Sequence, residues 1–359
     1  DVIKAHADDA TKASDALFNA ALWTEGRGEF DEAISLFREY VEKYSTVPNA
    51  ESAAKIAFHI AEIYDLQRDW ANAEKAYEDF IKTYEKRASA GEIFFARYKR
   101  ARALEQLKRR DEAMRLLDLC AKEYPKMSAE DRGKADYRDA YAYSMFMLLE
   151  PKWKAYTAIK FDNVRTLKKA LADKMKATPA LEQDYTAVLA TGSGDWGIAA
   201  LTRIGMMYQD FARNFVESPD PPGLDFEQLD MYRSELENRA FPLEEKAIEA
   251  FEKGLDKAYE LGIYNEYTLT AQEALNRFKP GEYGEIRQVS YTGSEFFSRA
   301  PAALTIDATF GSALPVAKPA ASPAEEPATD DASEEAEPET EPAPAKKKGV
   351  LILDKAAAK

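Results

Sequence analysis

Cysteine is nearly missing from this 359-residue chain: Cys120 stands alone. A single thiol excludes an internal disulfide framework and any cysteine-based zinc site, and it is compatible with a cytoplasmic or a periplasmic setting. Histidine is almost as scarce. His6 and His59 are far apart in sequence, so no short-spaced pair exists to hold a metal on a helix. No apolar run reaches the roughly 18 residues that a membrane helix needs. Positive charge is also short, with 49 Lys and Arg against 64 Asp and Glu, a net charge of −15. That balance argues against nucleic acid as a partner, because phosphate backbones need a basic face, and it disfavours anionic membrane surfaces. The chain opens on Asp1 with no signal-like segment after it, which reads as a processed or partial chain.

What is present is periodicity on two scales. Ala33, Ala73 and Ala113 recur at one constant step, forty positions long, and other positions keep the same step. Phe37, Tyr77 and Leu117 correspond, as do Tyr40, Phe80 and Cys120, and Tyr44, Tyr84 and Tyr124. Phe30 and Trp70 correspond, whereas the third copy has Arg110. Within the first copy, Phe30, Ala33, Ile34, Phe37, Tyr40, Val41 and Tyr44 form one apolar stripe at helical spacing. Partner helices are expected over residues 16–26, 53–67 and 94–107, with short polar turns after them. Asp31, Asp69 and Asp111 stand near the second-helix starts, where a carboxylate meets free amides.

A small residue in the first helix, then Ala and a large apolar residue four apart in the second, resembles the tetratricopeptide repeat family. The matches are Ala21 with Ala33 and Phe37, Ala61 with Ala73 and Tyr77, and Ala101 with Ala113 and Leu117. Tyr64 fits the aromatic of the first helix and Pro125 the terminal proline, where Ser45 and Glu85 depart from it. The usual period is about 34 residues, so each copy is longer by about six. Long repeats of this kind are similar to those of bacterial envelope lipoproteins of the outer-membrane β-barrel assembly type. The stretch 260–269 resembles tetratricopeptide proteins of gliding myxobacteria. The resemblance implies an all-α solenoid, a protein-binding role without catalysis or cofactor, and an envelope or motility setting.

Four regions are expected: three repeats over 1–127, divergent helical units with a capping helix over 128–300, a disordered tail over 301–345, and a terminal motif over 346–359. In the second region, helices are expected over 137–149, 153–161, 196–216 and 267–278. Pro179 breaks or kinks residues 164–189. The Pro-rich stretch 218–223 reads as a loop, 226–236 as a short inserted helix, and 243–261 as a second-helix pattern through Ala247, Phe251 and Gly254. The tail is rich in Ala, Pro and Glu and cannot bury apolar surface. Val350, Leu351, Ile352 and Leu353 beyond it form a candidate docking motif able to add a strand to a partner's sheet.

Phe18, Phe58 and Tyr98 also recur at the repeat step. In the family this face lines the concave groove, so the resemblance implies an aromatic ladder for a bound peptide, with Lys99 and Arg102 beside it; the opposing reading has the rings filling space against the second helices. The Lys and Asn of the family's chaperone-tail clamp are absent. Arg97, Arg100, Lys108, Arg109 and Arg110 join Lys99 and Arg102 in a basic third repeat, either a solvated face or a patch for an acidic partner or the acidic tail. Residues 192–197 fit G-x-G-x-x-G, but no strand precedes them, so a loop between helices is expected and not a dinucleotide site. His59 reads as structural. No nucleophile, base and orienting group come together in the sequence. An enzyme with its site in 130–280, walled by 219–241 and the glycine loop, and a self-assembling subunit are the competing readings. Oligomeric state is left open.

Overall fold

The structure, a computed structural model, describes residues 10–44, 46 and 52–284, all within one compact unit. The tail and the candidate motif Val350–Leu353 lie outside the described residues. Among those described, the only regular structure is helical.

Three helix pairs open the chain: α1 (Ala10–Gly26) with α2 (Phe30–Tyr44), α3 (Ala53–Leu66) with α4 (Trp70–Tyr84), and α5 (Ala90–Gln106) with α6 (Arg110–Glu123). The positions that repeat in sequence are the ones that leave water. Ala33, Ala73 and Ala113 are buried, and so are Phe37, Tyr77 and Leu117, one helical turn on. Ala21, Ala61 and Ala101 are buried opposite them, where a small side chain lets paired helices approach. Burial pushes the Cys120 thiol up to about 12, so it stays protonated and inert.

The turn inside each pair is also a repeat. Gly28, Arg68 and Lys108 all take positive φ, at 80°, 60° and 63°. Each donates its amide three positions back, to the carbonyls of Glu25, Asp65 and Glu105, and the next amide reaches five positions back: Glu29 to Thr24, Asp69 to Tyr64, Arg109 to Leu104. That is the Schellman helix stop, which favours glycine. The first repeat has glycine, and the other two hold a basic side chain in a strained conformation. Asp69 then caps α4 by accepting from the Asn72 amide, while Asp31 and Asp111 sit in the first turns of α2 and α6.

A short 3-10 turn (Tyr124–Lys126) and α7 (Ala129–Gly133) lead to α8 (Ala135–Leu148) and α9 (Glu150–Thr157), which Pro151 starts. Then come α10 (Leu167–Leu189), α11 (Gly194–Val216), α12 (Phe226–Leu261) and α13 (Glu266–Phe278). Two expectations fail here. Pro179 does not break α10, and residues 226–236 are not a separate insertion: they begin the long α12, which runs through Pro242. An internal proline costs a helix about 3 kcal/mol. Packing on both sides offsets it. Lys174 and Thr178 before Pro179, and Leu181, Tyr185 and Val188 after it, are all buried. In α12, Leu236 and Ala240 bury against Phe161, Phe211 and Phe215, while Phe251 and Leu255 enter the main core. Gly205 of α11 lets the Phe251 ring come close; a Cβ there would lie 2.6 Å from it.

Position 23 shows where the array is open. Ile63 and Ala103 hold the same repeat position and are 1% and 0% exposed, whereas Trp23 is 76% exposed, because no earlier pair covers α1 among the described residues. Trp23→Ala should therefore cost less than about 0.5 kcal/mol, and Ile63→Ala about 2–5 kcal/mol, both read by chemical denaturation. Arg68→Gly and Lys108→Gly should each stabilise by up to about 1 kcal/mol, since glycine removes the left-handed strain at some entropic cost. Destabilisation by either would show that the basic side chain contributes more than the turn loses.

Candidate functional site: the first-helix face

The first helices α1, α3, α5 and α8 follow one another along the array, and a charged or polar bridge joins each to the next. His59 Nε2 is 2.7 Å from Glu25 Oε2. Lys99 donates to Asp65 at 3.2 Å. The Tyr143 hydroxyl donates to Glu105. Glu25, Asp65 and Glu105 share one repeat position, and each is next to last in its helix. The bridge spans 34 positions in the first two cases and 38 in the third. The extra four equal one helical turn and follow the insertion of the 3-10 turn and α7. α8 thus takes the place of a fourth first helix.

Beside these bridges runs a line of rings. Phe58 stacks on Phe95 with centroids 6.1 Å apart, and Phe95 on Tyr98 at 5.8 Å. Tyr98 meets Tyr143 edge-on at 5.6 Å, and Tyr143 meets Trp196 at 4.8 Å. Phe58, Phe95, Tyr98 and Trp196 are only partly buried. Phe18 stands apart from this line; it packs on Phe37 and Tyr40 of its own pair. Phe58 likewise contacts Tyr77 and Phe80 of its own second helix. The predicted ladder residues therefore fill space within their repeats and, from Phe58 onward, also present partly exposed edges. Phe95 and Tyr143 were missed by sequence reasoning. No aromatic one repeat earlier marks them, because Lys55 and, after the four-residue shift, Lys99 occupy the corresponding positions. The acids at 25, 65 and 105 were legible in the aligned repeats.

Lys99 and Arg102 do lie with the rings, but both are engaged. Lys99 sits 5.7 Å over the Phe95 ring. Arg102 donates to the Tyr98 hydroxyl at 3.2 Å and lies 4.4 Å over the Tyr143 ring. The basic third repeat is largely neutralised by its neighbours. Arg97 pairs with Glu123 at 2.6 Å, Arg100 with Glu74 and Glu78 at 2.7 and 2.9 Å, and Arg109 with Glu112 and Glu74 at 2.6 and 3.3 Å. These cations tie helices together, which leaves little of the patch for an acidic partner.

The glycine run behaves as a loop. Gly192 has φ 78°, Ser193 caps α11 through the Trp196 amide, and Gly194 packs on Ile263 and Leu261. A cavity of about 340 Å3 beside Pro219 is lined by Val216, Asp220, Arg233 and Leu236 and by no residue of that loop, so the two proposed walls of an enzyme site do not meet there. No cluster of metal-ligating residues occurs among the described residues, and none of their helices is long and apolar enough to cross a membrane.

Residues 15–46, 57–86 and 95–126, the three helix pairs described above, match a family model for the tetratricopeptide repeat. Residues 15–126 carry tetratricopeptide repeats. Among solved structures, a TPR repeats protein from Bacteroides fragilis is similar over 74% of this chain and 98% of its own, at 13% identity and a TM-score of 0.36. The C-terminal part of a TPR repeat-containing protein from Cytophaga hutchinsonii is similar over 74% and 96%, at 12% identity and a TM-score of 0.28. A circular tandem repeat protein is similar over 77% and 65%, at 15% identity and a TM-score of 0.26. No match was found among curated proteins.

His59 is the titrating element of this tetratricopeptide face. Hydrogen bonding to Glu62 and to Glu25, against the opposing cost of partial burial, raises its imidazole from 6.5 to about 9. The charged ring stabilises the folded chain fully below pH 6.5, where the unfolded chain is also protonated, and that contribution is lost as pH rises through 9. Thermal melts should show a decline between these values that His59→Gln flattens. An equal decline in the variant would assign the effect to other groups.

Proposed function

We propose that the chain is a non-catalytic scaffold that binds segments of other proteins along the first-helix face, over Phe58, Phe95 and Tyr98. Tetratricopeptide repeats generally mediate protein–protein interaction, and repeat arrays present extended surfaces built from one helix of each unit. The observation that carries the reading is the line of partly exposed rings beside bridges that already satisfy their own charges. Such a surface offers apolar and aromatic contact at little desolvation cost, the composition of interaction hot spots. Its rings belong to a packed scaffold, so few rotamers are lost on binding.

In this reading the repeats up to residue 127 form the docking array, the divergent helices to 300 extend and cap it, and 301–345 is a tether ending in a second docking motif at Val350–Leu353. The resemblance in repeat length and over 260–269 favours an envelope or gliding-motility complex as its setting.

The test is affinity capture from the source cell with three proteins: the intact chain, Phe58→Ala/Tyr98→Ala, and a chain ending at 345, each checked for unchanged helicity and melting. Proteins held by the intact chain and lost with the double substitution support the face, with an affinity drop of at least about tenfold expected for two ring contacts. Loss only on truncation would move the docking function to the terminal motif. Retention by all three would sink the reading.

A further inference from the structure

A second feature lies in the divergent half. A cleft of about 320 Å3 opens between α9, α11 and α13. Trp153, Met206 and Ala274 form its apolar wall, and Lys160, Arg213 and Arg277 stand around it. That volume sits at the lower end of the range for small-molecule sites, roughly 300–1,000 Å3.

The charge of the cleft opposes that of the chain. Asp210 is nearly buried beside it and receives Lys174, whose side chain is fully buried and also donates to the Ile159 carbonyl at 3.0 Å. Lys160 and Arg213 each reach the same carboxylate at 3.0 Å. One carboxylate thus answers three cations. Arg277 has no ion pair among the described residues, and Glu273 is the one other acid on the lining. Three cations on the lining therefore meet two carboxylates, one of which already holds the buried Lys174, in a chain whose net charge is −15. Burial pushes the Lys174 amine down, Asp210 holds it up, and Lys160 and Arg213 add smaller downward pushes. Thr157, Gln209 and Thr270 add hydrogen-bonding groups.

From this geometry we infer that the cleft binds a small organic carboxylate, its anionic group meeting Arg277, Arg213 and Lys160 and its flat apolar body lying against Trp153 and Met206. Guanidinium groups suit carboxylate geometry, and a partly enclosed wall strengthens the attraction relative to open surface. A bare inorganic anion would leave the apolar wall uncovered, and a polyanion would meet the repulsion of the whole chain.

Isothermal titration of the full chain with 2-naphthoate, and with the neutral isostere 2-naphthalenemethanol, tests this. One saturable site for naphthoate, at least ten-fold weaker binding of the alcohol, and at least a ten-fold loss in Arg277→Met are expected. Arg277 has no ion pair to lose among the described residues, so that variant should keep the wild-type melting curve; Arg213→Met is the second variant, read with its melting curve. Absence of saturable binding, equal binding of the alcohol, or unchanged affinity in Arg277→Met would each overturn the inference. None of these outcomes bears on the first-helix face.

Discussion

Each helix pair in this chain has an apolar stripe that it cannot bury alone, and the rest of the structure follows from that constraint. Phe37, Tyr77 and Leu117 are fully buried because a small residue opposes them and an alanine precedes them by one turn. The pairs must therefore stack, and stacking brings the first helices into a row. Trp23 shows the same rule from the other side: the position that is covered in the second and third repeats is open in the first.

Once the row exists, its charges organise it. Acids at the ends of α1, α3 and α5 meet His59, Lys99 and Tyr143 on the next helix, which sets the register between neighbours. Partly exposed pairs of this kind contribute modestly to stability. Their larger effect is to pair the charges that flank the partly buried rings of Phe58, Phe95 and Tyr98. A basic third repeat and acids of the second cancel in space through Arg100 with Glu74 and Glu78.

The divergent half obeys different rules. Its two internal prolines are accommodated because α10 and α12 are buried on both sides of them, and because Gly205 lets Phe251 close against α11. The buried Lys174–Asp210 pair is the polar counterpart of that core. A buried pair adds little net stability but strongly resists losing one partner. Here it gathers Lys160 and Arg213 as well, and so creates a positive cleft inside an acidic protein.

Local periodicity was enough to determine the all-α class, the three long repeats, their buried positions and a helix over 267–278. Those features depend on spacing along one chain, which is visible in Ala33, Ala73 and Ala113 and in the stripes around them. The acids at 25, 65 and 105 were visible too, but their partners were not, since a bridge from one repeat to the next is a fact about neighbouring helices. Only the tertiary structure decided that Pro179 and Pro242 lie inside continuous helices, because the compensating contacts come from α11 and from Phe161. It alone joined Phe58, Phe95, Tyr98 and Tyr143 into one line, and it alone brought Lys174 to Asp210, on a different helix. Packing energy and charge pairing are set by distance in space, and a short insertion such as α7 is sufficient to shift which residues meet.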